Sequence, residues 1–389
     1  MSVRKRTWTT RQGEAKEAWV VDYADQRGAR HLKTFERKKE ADAYAATVRV
    51  DIRAGVHTSS KVTVAHAGKH WIDSCKAHGL EASTLESYQQ HLDDHIAPYL
   101  GAVKLSQLTV PLVRDFMDKL RANGRSPAMV KRVIGDLGSI LADAQERGEV
   151  AQNVVRSLSK RRKRREAERR QKGKLKVGVD IPTPAEIKAI VAHLQQDQWR
   201  GRWRPLFLTA IFAGLRASEI RGLRWQDIDL KRGELHVRQR ADKFKTIGKP
   251  KSAAGERSIP MPPILVNALR EWKLACPKSE LGLVFPTGAG EVEYHSNIVT
   301  RGLAPVQVAA SVVAKAGKAK YTGLHALRHF YASWCINRKE DGGLGLPLKV
   351  VQHRLGHSSI QMTADVYGHL FPSGDDGAEL AAAQKALLG

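Results

Sequence analysis

Apolar residues near the N-terminus follow a strand-like pattern. Trp19-Val20-Val21-Asp22-Tyr23 is rich in β-branched and aromatic side chains and reads as a strand. Asp25-Gln26-Arg27-Gly28 reads as a turn, and residues 30–35 as a returning strand. A helix is predicted from about Lys38, because Ala41, Tyr44, Ala45, Val48 and Ile52 fall on one face, and Gly55 stands where a C-cap is expected. From residue 62 to 157 the period is helical throughout. Ser83-Thr84-Leu85-Glu86 has the form of a capping box. Thr109 and Pro111 precede apolar Val113, Phe116, Met117 and Leu120, with Gly124 as a stop. Ser126-Pro127 opens another helix, with proline where a lost N–H costs little. Its buried stripe is Val130, Val133, Ile134, Leu137, Ile140 and Leu141, and Gly148 ends it. This stretch reads as a bundle of about four helices.

Residues 160–176, KRRKRREAERRQKGKLK, carry no apolar period and bury nothing, so they are expected to form an extended or loosely helical linker. Such a run is either a solvated charge stretch or a segment that contacts phosphates. A further domain opens at Thr183-Pro184-Ala185-Glu186, again a capping box with proline in the first turn. Helices are predicted over 187–194, 205–213, 218–223, 264–274 and 325–337. A β-hairpin interrupts them, with strands over 234–240 and 257–261 and a loop rich in Lys and Gly. Residues 378–388 are Ala-rich and helix-forming. The fold class expected is mainly α with small β elements, α+β overall.

A chain of 389 residues suits two or three domains, and 42% hydrophobic residues supply real cores. Lys and Arg number 65 against 40 acids, a formal charge of +25. That excess repels itself and calls for a polyanionic partner, nucleic acid first and an anionic membrane second. Cys75, Cys276 and Cys335 form no CxxC pair or even framework, as expected in a reducing compartment. Met1 to Arg6 is basic, but no apolar stretch follows it. Neither a signal peptide nor a membrane span is expected, and the membrane option weakens.

Four clusters in the third domain need a chemical explanation. Gly214-Leu215-Arg216-Ala217-Ser218-Glu219 places an arginine at a glycine turn between apolar helices. The hairpin carries Lys249, Lys251 and Arg257. His325-Ala326-Leu327-Arg328-His329 sets His325 and Arg328 on one helical face. Leu355-Gly356-His357 precedes Tyr367 in a polar segment. A guanidinium fork matches a phosphate, and gathered donors stabilise the charge of a five-coordinate transition state. Tyrosine supplies an oxygen nucleophile whose pKa of about 10 is high, and adjacent positive charge is expected to favour the phenolate. A lysine on a mobile hairpin suits the protonation of a leaving oxygen. Together these groups fit metal-free phosphoryl transfer through a phosphotyrosine. Taken singly each has a plainer reading: Arg216 an ion pair with Glu219, Tyr367 a half-buried aromatic. His325 and His329 have the spacing of metal ligands, but no carboxylate or Cys joins them in a zinc pattern.

Order and spacing add a resemblance. Gly214-Leu215-Arg216-x-Ser218-Glu219-Ile220 with Leu223-x-Trp225-x-Asp227-Ile228 is similar to the first-arginine box of the tyrosine recombinases, or phage integrases. His325-x-Leu327-Arg328-His329 resembles their second box. Leu355-Gly356-His357-Ser358-Ser359-Ile360-x-Met362-Thr363-x-x-x-Tyr367-Gly368-His369 resembles their closing box. The resemblance implies an arm-type DNA-binding domain over 1–58 (a three-stranded sheet plus helix) and a helical core-binding, SAM-like domain over 62–157. It implies a basic linker over 158–180, a mixed α/β catalytic domain over 181–372 and a tail over 373–389, of which 378–388 would reach a neighbouring subunit. Carried over by position, Arg216 and Arg328 would hold the scissile phosphate. His325 and His357 would donate to its oxygens or shuttle protons, and Glu219 would brace the site. Tyr367 would attack, leaving a 3′-phosphotyrosine and a free 5′-hydroxyl. Lys251 matches the hairpin general acid, with Lys249 and Lys245 as close alternatives. Lys160, Arg161, Arg162, Lys163, Arg164 and Arg165 would cross the DNA backbone. The stretch 339–346 is longer and richer in Gly than the family pattern, which bears on local geometry.

The implied activity is integration or excision of a mobile element such as a prophage, without metal or cofactor, in the cytoplasm of a bacterial host at its nucleoid. The implied partners are double-stranded DNA attachment sites, a homo-tetramer on synapsed DNA, a host DNA-bending protein and an excision or directionality factor. Rival readings are a type IB topoisomerase, a chromosome-resolution recombinase, a DNA-binding regulator without catalysis and a metal-dependent nuclease.

Overall fold

Strands β1 (Ser2–Thr9), β2 (Ala15–Ala24) and β3 (Arg30–Phe35) pair in order as an antiparallel meander. The register sets Val3 opposite Val21 and Trp19 opposite Phe35, which puts apolar side chains on one face. Helix α1 (Lys38–Arg53) covers that face. Val21, Tyr23, Ala41, Ala45 and Val48 form the core, with Val3, Trp19, Phe35, Tyr44 and Ile52 at its edge. The computed structural model describes residues 1–9, 15–24, 28, 30–53, 62–158, 174–371 and 376–388. The expected C-cap Gly55 and most of the expected turn 25–28 lie outside the described residues.

A second core is wholly helical. Its main helices are α2 (Val64–Ala77), α3 (Ala82–His91), α4 (Val110–Ala122) and α5 (Pro127–Glu146). Thr63, Thr109 and Ser126 cap three of them by accepting from backbone N–H groups. The predicted stripe on α5, from Val130 to Leu141, is buried. The capping box expected at Ser83 is absent. The chain turns helical one step earlier, because the Glu81 carbonyl takes the N–H groups of Thr84 and Leu85 at 2.8 and 3.1 Å, and Ser83 falls inside the first turn.

The chain divides at residue 161 into two units, and the second holds the largest core. It begins with α6 (Pro184–Leu194), whose Thr183–Glu186 capping box is complete. Helices α7 (Trp203–Ala213) and α8 (Ala217–Arg221) follow. β4 (Ile228–Asp229), β5 (Glu234–Val237) and β8 (Arg257–Pro260) form an antiparallel sheet. The expected single hairpin is therefore three strands, and its long connection carries a smaller hairpin, β6 (Arg240–Ala241) with β7 (Ile247–Gly248). Helix α9 (Pro263–Ala275) leads on to α10 (His325–Ile336), α11 (Leu348–Leu355), α12 (Ile360–Tyr367) and α13 (Asp376–Leu388). The Gly-rich stretch between α10 and α11 folds back on the helix end: the N–H groups of Leu344 and Leu346 donate to Trp334 and Cys335 at 2.9 and 2.8 Å. No helix among the described residues is long and apolar enough to cross a membrane.

Candidate active site

Helix α7 is buried nearly all round and ends on Gly214, at φ 60°. A Cβ there would stand 2.2 Å from the Tyr331 ring, so close packing and backbone conformation both require glycine. The turn delivers Arg216 to the cap position of α8. Its backbone N–H and one guanidinium nitrogen donate to the two Glu219 oxygens, each at 2.8 Å. Its other terminal nitrogen donates to the carbonyl of Gly356 at 3.0 Å. Arg216 is thus more than an ion-pair partner of its neighbour: it ties α8 to a turn far along the chain. Arg257, which motif reading left without a role, lies beneath. It comes from β8 and faces inward on the strand's alternation. It grips Glu219 with two nitrogens, at 3.1 and 2.8 Å, and spends the rest on the carbonyls of Gly255 and Arg354, both at 2.8 Å. Burial alone would raise the Glu219 carboxyl, but Arg257, Arg328 and Arg216 hold it at about 2.

Helix α10 supplies His325, Arg328 and His329. Arg328 is 2% exposed and donates to the carbonyls of Gly214, at 2.6 Å, and Leu355. Burial and the charge of Arg216 lower it to about 10, which leaves it charged at neutral pH. His325 sits at the outer edge with its ring 4.6 Å from that of His329. Partial desolvation, then the charges of Arg328 and Arg216, lower its pKa.

Gly356, at φ 62°, ends α11 and turns the chain into His357. The His357 ring has Nε2 3.3 Å from an Arg328 nitrogen and Nδ1 2.9 Å from the Thr363 hydroxyl. A guanidinium only donates, so Nε2 accepts and the ring proton sits on Nδ1, toward Thr363. Burial and the charges of Arg328, Arg216 and Arg257 lower His357 to about 4. Ser359 caps α12, and Tyr367 closes it one turn after Thr363. The Tyr367 ring lies parallel to that of His357, with centroids 6.2 Å apart. Its hydroxyl is 2.7 Å from Nδ1 of His329. The expectation that positive charge would favour the phenolate is corrected here: burial raises Tyr367 to about 12, against the pull of Arg328 and Arg216.

The structure therefore brings Arg216, Glu219, Arg328, His357 and Tyr367 into one linked group, and it adds Arg257, His329 and Thr363. Lys251 is exposed on the loop between β7 and β8. That loop abuts the site, since a Cβ on Gly356 would meet the Ala254 carbonyl at 3.0 Å. Lys249 is exposed on the same loop. Lys245 is drawn elsewhere, to Glu291 at 2.9 Å and over the Tyr294 ring. Residues Lys160 to Arg165 lie outside the described residues. Among the described residues no group of three or more His, Cys, Asp or Glu is placed to hold a metal ion.

With this geometry in place, comparison identifies the class. The pattern of the phage integrase family matches residues 182–373, and that of the phage integrase N-terminal SAM-like domain matches residues 63–121. The chain belongs to the phage integrase family of tyrosine recombinases, enzymes that cut and rejoin DNA. It is 28% identical over 376 residues, 90% of each chain, to a XerC-like tyrosine recombinase of Caldanaerobacter subterraneus. It is 24% identical to the ICEBs1 integrase of Bacillus subtilis over 72% of each chain. Its fold is similar to that of the Tn1549 transposon integrase bound to transposon right-end DNA, with TM-score 0.63, 18% identity and coverage of 84% of this chain and 100% of the other. It is also similar to a lambda integrase dimer on a COC′ core site, with TM-score 0.56, 16% identity and coverage of 92% and 93%.

Proposed function

We propose that this recombinase integrates or excises a mobile element, cutting each strand through a covalent bond between Tyr367 and the 3′ phosphate. One observation carries the reading: the buried Tyr367 ring stacks on His357, which is itself hydrogen-bonded to Arg328. Arg216 and Arg328 hold the scissile phosphate through guanidinium N–H groups. Their guanidinium planes are already aimed by Gly214, Leu355 and Gly356, so little is lost in orienting them. Glu219 and Arg257 brace them from beneath. An arriving phosphate adds negative charge beside His357 and His325, raising their proton affinity and turning them into donors. Tyr367 Oη attacks phosphorus, the P–O5′ bond breaks, and Lys251 protonates the leaving 5′ oxygen. Charge stabilisation comes from side chains, so no metal is needed.

The mobile-element reading draws on the sheet-and-helix unit ahead of the helical bundle and on the likeness to the ICEBs1 integrase. Chromosome resolution is the second reading, favoured by the XerC-like relative. The chain is inferred to work in the cytoplasm on paired attachment sites as a homo-tetramer, the state in which lambda integrase is seen on a Holliday junction. The basic run from Lys160 to Arg165 crosses the duplex backbone, and a host DNA-bending protein and an excision factor complete the assembly. In a plasmid assay with EDTA present, this reading expects recombinants only when two attachment sites are supplied. Relaxation of a plasmid carrying neither site would favour a topoisomerase instead.

A further inference from the structure

The Tyr367 hydroxyl is buried, and its one hydrogen bond among the described residues is to Nδ1 of His329, at 2.7 Å. The direction of that bond follows from satisfaction. If His329 donated, the phenol proton would be left unpaired in a buried place, which is costly. The hydroxyl therefore donates, Nδ1 accepts, and the ring proton of His329 sits on Nε2. The other imidazoles are not placed for this. Both nitrogens of His357 are engaged, by Thr363 and Arg328, and His325 stands at the outer edge.

We propose that His329 is the general base of strand cleavage, taking the Tyr367 proton on Nδ1 as Oη attacks phosphorus. The proposal rests on Tyr367 being the nucleophile, as inferred above. The Oη–P bond forms, the P–O5′ bond breaks, and the phenol proton ends on His329. The 5′ oxygen leaves with a proton from the general acid assigned to Lys251. On rejoining, His329 returns its proton to Oη. The 2.7 Å contact with the Tyr367 hydroxyl carries the assignment, and the groups around His329 keep its ring uncharged before DNA arrives. Burial, then His325 and Arg328 on its own helix, lower it to about 4, and Asp180, ahead of α6, pulls the other way. Tyr367 faces it from α12. The imidazole is uncharged at neutral pH and free to accept.

The test is single-turnover cleavage of a nicked duplex carrying the attachment site by wild type, His329→Ala and His329→Gln, with DNA affinity measured alongside. Both variants should bind DNA normally and cut at least ~100-fold more slowly near neutral pH. The deficit should shrink steadily as pH rises above neutrality, because hydroxide ionises a growing fraction of a phenol that burial holds near 12. A substrate with sulfur bridging at the 5′ position needs no proton on its leaving group. It should rescue Lys251→Ala and leave His329→Ala slow. Wild-type rates in both His329 variants, faster cutting, or rescue by the bridging sulfur would each overturn the proposal. Tyr367→Phe, run in parallel, tests the nucleophile separately, since adduct formed by that variant would sink the underlying reading instead.

Discussion

Glu219 is a carboxylate at 2% exposure with Arg257 at two contacts and Arg216 at two more. Its pKa falls from 4.5 to about 2 on folding, so its stabilisation is complete above pH ~4.5 and is lost as pH falls through about 2. At neutral pH that shift corresponds to ~3 kcal/mol. Glu219→Gln leaves Arg257 buried without its counter-charge and should cost ~3–5 kcal/mol at pH 7. The same substitution should cost far less near pH 2, where wild type has lost the pair as well. Urea denaturation at both pH values checks this, and equal losses would contradict it. At this scale the sequence is most informative where its motifs resemble a known family's: Arg216, Glu219, Arg328, His357 and Tyr367 stand in those motifs and meet in the fold. Arg257, His329 and Thr363 were in plain view without assigned roles. Each acts on a partner from another element, and only packing shows that His329 faces Tyr367 rather than solvent.

Two glycine-terminated helices set the arginines and His357. Gly214 and Gly356 end α7 and α11 in the left-handed region, and their carbonyls are the acceptors that aim Arg328 and Arg216. Gly214→Ala forces a Cβ to 2.2 Å from the Tyr331 ring. It should cost ~2–4 kcal/mol, combining overpacking with a left-handed Ala. Gly288→Ala meets nothing within 4 Å and should be near neutral. Urea midpoints of the two variants decide the matter, and equal midpoints would contradict the account. Helices are legible where a capping residue and a proline coincide, as at Thr183-Pro184 and Ser126-Pro127, and their C-terminal ends fall within two residues of the expectation, while the first of them starts three residues earlier than the apolar period alone predicts. Ser83 misled because its capping pattern lies one turn-step inside a helix already begun at Ala82. The third strand of the small sheet escaped because Ile228–Asp229 is too short to show alternation.

Across the whole molecule, the three largest cores among the described residues fall in the three stretches that the hydrophobic pattern separates along the chain. The excess of 65 basic over 40 acidic residues marks the chain as a partner of polyanions, and membership in the recombinase family gives that partner as DNA. Charge alone carries no information on the reaction, and the proposed chemistry rests on a few donors and one phenol in the last two hundred residues or so. The most direct test traps the covalent complex on a nicked attachment site, digests it with trypsin and nuclease, and locates the nucleotide by mass spectrometry. Peptide 355–385 contains a single tyrosine. The account predicts a nucleotide joined through its 3′ phosphate to Tyr367, formed in EDTA. A nucleotide on any other residue, or strand cutting with no peptide adduct, would contradict it.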